Sequence, residues 1–327
     1  VKLRQPYNLD HVTRTVYTLY WDEVMAVQDQ LWKDRRHDLF MKTYERSQIE
    51  MHVPFLDRWR AWSNAGVRKR AFPFAYPTAG GTEALDIVMR RYKRIHVFKG
   101  DYEGYRQFAD AENRELIEHV RRVEIPAKHH FDEGDAFIVS YPSAIDGELW
   151  PDLDNWLENM RSKYTKVDVI LDLAYLGCTK TPISLELYRH SNVEAVVFSF
   201  SKPFGLSQHR VGGVFCRHVN RRLEYNKYFK NLPGIILGNQ LIEAYEPTYI
   251  PQLYAKLQQA ALEAAQASKE APSDAVCSDV IMLARATNGQ KEFERTPGQF
   301  RFCLTKAMDK LHCSPGPRPP IQRAELV

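Results

Sequence analysis

The stretch Phe198-Ser199-Phe200-Ser201-Lys202-Pro203-Phe204-Gly205-Leu206-Ser207-Gln208-His209-Arg210-Val211-Gly212-Gly213 follows the apolar run Ala195-Val196-Val197. That run reads as a short buried strand, so Lys202 leaves a strand end close to apolar walls. Burial penalises the ammonium form and lowers the pKa of such an amine. A neutral amine can attack an aldehyde and form an imine. Ser199, Ser201 and Arg210 offer the hydroxyls and guanidinium that grip a phosphate. The segment suits equally a lysine that merely ends a strand, with the serines shaping the turn.

Two other segments bear on that choice. Val167-Asp168-Val169-Ile170-Leu171-Asp172-Leu173-Ala174-Tyr175 ends an apolar strand on an aspartate, with a tyrosine soon after. At the carboxyl end of a strand in an open α/β sheet, such side chains face the ligand crevice. Upstream, Pro77-Thr78-Ala79-Gly80-Gly81-Thr82-Glu83-Ala84-Leu85 sets two glycines and a threonine before a helical pattern, Glu83 to Arg91. Free amides and the dipole at a helix start make an anion site, although a glycine-rich turn by itself is usually only a turn. Along the chain the order is phosphate cradle, carboxylate, lysine.

In that order the chain resembles the fold-type-I pyridoxal-phosphate-dependent enzymes, in the aspartate-aminotransferase-like (class I/II aminotransferase) superfamily. The resemblance runs from about Pro73 to Gly213. Its most specific part is Ser199-x-x-Lys202 with Arg210-x-Gly212, together with Asp172-x-x-Tyr175 one strand earlier. It implies pyridoxal 5′-phosphate as cofactor and catalytic roles for Lys202, Asp172 and Tyr175. Lys202 would be the Schiff-base lysine, Asp172 would pair with the ring nitrogen, and Tyr175 would hydrogen-bond the phenolic oxygen. Gly80, Gly81, Thr82, Ser199 and Arg210 would hold the phosphate. Tyr102, in Gly100-Asp101-Tyr102-Glu103-Gly104-Tyr105, falls where the family stacks an aromatic on the ring; core and rim are the alternatives for a tyrosine.

One segment departs from the family. The usual Asn-Pro-Thr-Gly turn is replaced by Ser140-Tyr141-Pro142-Ser143-Ala144-Ile145-Asp146-Gly147, with Ala144 at the asparagine position. The phenolic oxygen would then keep Tyr175 and Ser143. Fewer donors to the phenolate should change substrate placement and the acidity of the bound cofactor. The resemblance therefore implies an enzyme acting on an amino acid through a Cα carbanion, in the first place an aminotransferase. A non-transaminating enzyme (a cyclase, a β- or γ-elimination or replacement enzyme, or an amino acid oxidase) is the alternative. A cofactor-binding protein without catalysis is a third reading, and no DNA-binding module accompanies it.

Organisation fits an α/β protein with a mainly parallel sheet flanked by helices and a smaller α+β domain. Helices are expected over Thr82–Arg94, Asp152–Lys163 and Tyr254–Lys269, and a polar helical stretch over Ala109–His119. Strands are expected at Ile95–Phe98, Val120–Ile125, Ala136–Tyr141, Val167–Leu171, Ala195–Phe200, Val211–Phe215, Val280–Leu283 and Phe300–Leu304. The division expected is a helical segment over 1–60, a large cofactor-binding domain over 61–250, and a small domain with a tail over 251–327. Tyr17, Tyr20, Trp21, Val24 and Met25 form an apolar stripe suited to core or a subunit interface. The tail Ser314-Pro315-Gly316-Pro317-Arg318-Pro319-Pro320 can only be an extended arm. Arg301, alternating with Phe300 and Phe302, is the candidate for a substrate carboxylate, with Arg295 its rival. An ordinary solvent-facing strand arginine explains the same alternation.

Composition narrows the partners. A chain of 327 residues, 44% hydrophobic and 26% charged, has the make-up of a globular protein with a sizeable core. The formal charge of +4 is too small, and too interspersed, to argue for nucleic acid. Cys178, Cys216, Cys277, Cys303 and Cys313 are scattered, and His129-His130 has no companion at ligand spacing, so no disulfide framework and no metal site is expected. No run reaches membrane-spanning length and no signal-peptide core is seen, so a cytoplasmic location is the expectation. The resembled family implies a homodimer, which is also the commonest closed assembly.

Overall fold

The computed structural model describes residues 9–45, 48–121, 130–228 and 231–312. The chain opens with an irregular segment, then two helices, α1 (Asp22–Glu45) and α2 (Gln48–Trp62). A central sheet follows, built from β1 (Phe74–Thr78), β2 (Arg94–Phe98), β3 (Glu115–His119), β4 (Asp135–Ser140), β5 (Val167–Leu173), β6 (Val193–Ser199) and β7 (Gly212–Cys216). Between them lie α3 (Gly80–Met89), α4 (Gly104–Ala111) and α5 (Leu153–Lys163). The spatial order is β1-β7-β6-β5-β4-β2-β3, parallel from β6 to β3, with β7 antiparallel to both its neighbours.

Strands β4, β6 and β7 are buried at every residue, as expected for strands covered on both faces. Alternation along them sorts two cores. Val196 and Phe198 join Phe215 and Trp59 of α2 on one face, where the rings of Trp59 and Phe198 stack at 4.2 Å. Val197, Ile138 and Ile170 face the other way, onto Ala84, Leu85 and Val88 of α3. Two layers of helices thus fix the sheet, and its strand ends, in one position.

After β7 come α6 (Leu232–Ala244), α7 (Tyr249–Leu253) and α8 (Ala255–Ala267). A four-stranded antiparallel sheet follows, made of β8 (Val276–Cys277), β9 (Leu283–Ala286), β10 (Glu294–Thr296) and β11 (Gln299–Cys303), and α9 (Thr305–His312) closes the described chain. Thr13 bridges to Cys303 of β11, which lays the N-terminal segment along this second sheet. No helix among the described residues is long and apolar enough to cross a membrane.

Several local expectations need correction. Glu115–His119 is a strand, not helix: the helix stops at Ala111, Asn113 takes a left-handed φ of 52°, and the chain then pairs in parallel with β2. Tertiary pairing has overridden a polar pattern without clear period. Val280 makes only an isolated bridge to Thr179 and Ile281–Met282 form a turn, with β9 starting at Leu283. Helix α3 begins before Thr82 and ends at Met89, short of Arg94. The aromatic stripe divides, since α1 starts only at Asp22: Trp21 and Val24 are buried, whereas Tyr17, Tyr20 and Met25 are exposed. Val120 and Arg121 are not in a strand. Residues 122–125, His129, Cys313 and the proline-rich tail lie outside the described residues.

Candidate active site

The carboxyl ends of β4, β5 and β6 and the start of α3 surround a cavity of about 330 Å³. Ligands of open α/β sheets bind at such a place. Lys202, Asp172, Tyr175, Ser199, Arg210 and Arg301 all line it. So do Gly81, Thr82 and Tyr102. Of the residues singled out in the sequence, Gly80 and Ser143 do not reach the cavity wall.

Lys202 lies just past β6. Burial holds its amine below the ordinary lysine range, and Arg301 pushes the same way. Its Nζ donates to the Val16 carbonyl of the N-terminal segment. Asp172, 4% exposed, is the penultimate residue of β5. Its Oδ1 accepts from the Ala174 amide at 3.0 Å and its Oδ2 from the Tyr105 hydroxyl at 2.8 Å. Burial pushes this carboxyl up to about 6, partly offset by those two donors.

The anion end is preorganised. Helix α3 starts at Gly80 with no side-chain cap on its first amides, which leaves them for a ligand. Gly80 has φ +77°, and a Cβ there would sit 2.8 Å from Arg210 Nη2, so glycine is what lets the arginine come close. Arg210 itself takes a left-handed φ of 53°. Its Nη2 donates to the Ala79 carbonyl at 2.8 Å and its Nη1 to Ser207 at 3.1 Å. Such backbone strain in a non-glycine residue is held only where the surroundings over-determine it, and it clusters at ligand clamps. Ser199 Oγ lies 3.0 Å from Ser201 Oγ.

Tyr102, 42% exposed, closes one side, its hydroxyl bonded to Thr82 and its ring edge-on to Tyr105 at 5.3 Å. Arg295 and Arg14 bond to the residues flanking Tyr102, and Arg301 lines the same cavity. Arg295 is committed to protein, since it donates to the carbonyls of Gly100 and Asp101 and to Glu103. Arg301, 4% exposed, donates to the carbonyls of Ala144 and Arg14, while its buried Nε has no partner. The two candidates are thereby separated: Arg301 retains a donor for a ligand, and Arg295 clamps the loop after β2.

Ser143 is a correction. Its Oγ accepts from Arg121 Nη1 at 2.7 Å and from the Ile145 amide at 3.1 Å, which occupies it in holding the turn. Ala144, rather than Ser143, is the turn residue on the cavity wall. Tyr175 therefore stands alone among the hydroxyls expected beside a phenolate; burial raises its pKa, and the Arg301 charge opposes this. Tyr105, Arg14 and Val16 belong to the site without having been singled out. Only Tyr105 had a signal, its place one helical turn after Tyr102.

No protein-family model matches the sequence, and no curated protein matches it. Solved structures do. A histidinol-phosphate aminotransferase from Clostridium acetobutylicum superposes with a TM-score of 0.64 at 12% identity, over 90% of this chain and 97% of that one. An aminotransferase from Mycobacterium tuberculosis gives 0.64 at 14%, over 90% and 88%. An Escherichia coli protein with methionine aminotransferase function gives 0.61 at 13%, over 90% and 97%. This chain has the fold-type-I aminotransferase fold. The mainly parallel seven-stranded sheet flanked by helices is that architecture.

Proposed function

We propose that this chain is a pyridoxal-phosphate-dependent enzyme that acts on an amino acid, in the first place as an aminotransferase. One observation carries the reading: a buried amine and a clamped arginine from one segment and a buried carboxylate from another meet in one cavity at the strand ends. The fit to a phosphorylated pyridine aldehyde is chemical. Lys202 is an amine whose pKa burial holds below the ordinary lysine range. Asp172 is an acceptor for a ring N–H, and burial makes it prefer a cationic partner strongly. Uncapped α3 amides, Arg210, Ser199 and Thr82 suit a phosphate dianion. Gly80 shapes that cradle without touching the cavity, and Tyr102 supplies an aromatic wall.

When bound, the cofactor supplies an electron sink for the pair left when a bond to Cα breaks. The chain's own residues do the rest. Lys202 would hold the aldehyde and, as a free amine, would take and return the Cα proton. Asp172 would keep the ring nitrogen protonated, and Tyr175 would donate to the phenolic oxygen. Arg301 orients the substrate carboxylate through its unpartnered Nε. Arg301→Gln should therefore raise KM and lower kcat/KM about a hundredfold, the worth of one charge-assisted contact. Steady-state kinetics with an unchanged KM would remove the role.

Ala144 favours a second reading, a cyclase, elimination, replacement or oxidase reaction, because it lines the cavity with no side-chain donor where the resembled family has an asparagine. Two arms separate them. Candidate amino acids are added to the loaded protein and the spectrum followed; then 2-oxoglutarate or pyruvate is added. Regeneration of the starting spectrum by the keto acid supports transamination. Product release without it supports the second reading, and no spectral response to any amino acid contradicts both. A cofactor-binding protein without catalysis would give that last outcome.

The division proposed is 1–60, 61–250 and 251–327, since the large sheet lies within 74–216 and the small one within 276–303. The active unit is read as a homodimer. Exposed Tyr20 and Met25 border an apolar groove of about 300 Å³ beside Phe204, close to Lys202. Light scattering should show a dimer, and an active 38.1 kDa monomer would contradict it.

A further inference from the structure

Two buried carboxylates act on each other at the site, Asp172 on the cavity wall and Asp101 outside it. Asp172 is the penultimate residue of β5, and Asp101 follows β2. They are 4% and 6% exposed. Their surroundings differ. Asp101 accepts from Ser140 Oγ at 2.6 Å and from the Tyr102 amide at 2.7 Å, and Arg295 lies close enough to favour its charge. Among the described residues no cationic side chain is bonded to Asp172. Its acceptors are met by one backbone amide and one phenol, that of Tyr105. The strands beside β5 bring only Ser140 of β4 and Val197 of β6 opposite Asp172, and neither is charged. The titratable groups acting on it are therefore Tyr105 of α4, Asp101, and Tyr102 at the entrance to α4.

Tyr105 is held for this purpose. It is 1% exposed, lies in the first turn of α4, and packs in the apolar layer between α3 and the sheet. Its hydroxyl reaches out of that layer to a single acceptor, Asp172 Oδ2. Burial and the two carboxylates keep the phenol protonated, so it can only donate to Asp172. We infer that Tyr105 is the positioning residue of the site: through Oδ2 it orients Asp172 and keeps it ionised against Asp101, so that Asp172 can hold a ring proton at neutral pH. The inference rests on the proposed cofactor only in its last clause.

Tyr105→Phe keeps the ring and removes one donor, so packing is conserved. Losing a hydrogen bond to a charged group should raise the Asp172 midpoint by about one to two pH units. Carboxyl-carbon NMR of the protein, with Asp172→Asn assigning the signal, reads this directly. A midpoint equal to wild type in folded Tyr105→Phe overturns the inference. The second arm compares affinity for pyridoxal phosphate with that for its analogue carrying carbon in place of the ring nitrogen. Ionised Asp172 favours only the former. In Tyr105→Phe, binding of pyridoxal phosphate should weaken as pH falls from a point one to two units higher than in wild type, and binding of the carbon analogue should not move. Equal shifts for both ligands would mark a merely structural residue and overturn the role. Wild type that binds neither ligand contradicts the functional reading, while the NMR arm still decides the coupling of Tyr105 to Asp172.

Discussion

Lys202→Ala is expected to lower turnover by at least about 10⁴-fold, because one side chain supplies both the covalent attachment and the base at Cα. The loss should leave binding largely intact. Arg210 stays fixed by the Ala79 and Ser207 carbonyls, and the α3 amides stay open, so the phosphate keeps its cradle. The protein should also fold at least as well as wild type, since removing a buried amine removes its desolvation penalty. A variant that still takes up pyridoxal phosphate but gains no borohydride-stable label fits this account. Turnover within tenfold of wild type would end it.

Asp172→Asn is the second large effect. An amide cannot hold the ring proton, and losing that charge where electrons accumulate should cost about 10² to 10⁴ in kcat. Stability should move the opposite way in the cofactor-free protein. The folded carboxyl is raised to about 6 from an ordinary value of 3.8. A raised carboxyl binds its proton more tightly when folded, so its contribution is full below about pH 4 and is lost as pH rises through 6. The difference is on the order of 3 kcal/mol. Asp172→Asn should abolish that slope and raise the melting temperature above pH 6, while slowing the loaded enzyme. Thermal melts across pH 4 to 8 beside steady-state rates check both signs. Near-normal turnover in a folded, loaded variant would remove the role.

What could be read from sequence followed covalent neighbourhood. Lys202, Arg210 and Ser199 are close in the chain, Asp172 and Tyr175 terminate an unbroken apolar run, and Gly81 and Thr82 open a helix. Such signals survive folding because strand ends and helix starts are local features. Contacts made only by tertiary packing stayed hidden. Arg14 and Val16 reach the cavity because Thr13 pairs with Cys303 across the small sheet, which no local pattern encodes. Ser143 offers a hydroxyl at the right place in the turn, but Arg121, distant in sequence, occupies it. Strand β3 was missed because it is half exposed at the sheet edge and lacks the apolar run that marks β5 and β6. Arg295 and Arg301 differ only in their tertiary partners: Gly100, Asp101 and Glu103 take up Arg295, whereas Arg301 keeps an unpartnered Nε.

The identity of the residue that carries the cofactor tests the account most directly. The purified protein is saturated with pyridoxal phosphate, reduced with borohydride and digested, and the modified peptide is sequenced by mass spectrometry. The account predicts a yellow protein that bleaches on reduction, with a single pyridoxyl group on Lys202. A label on any other lysine, or no label at saturating cofactor, would contradict it.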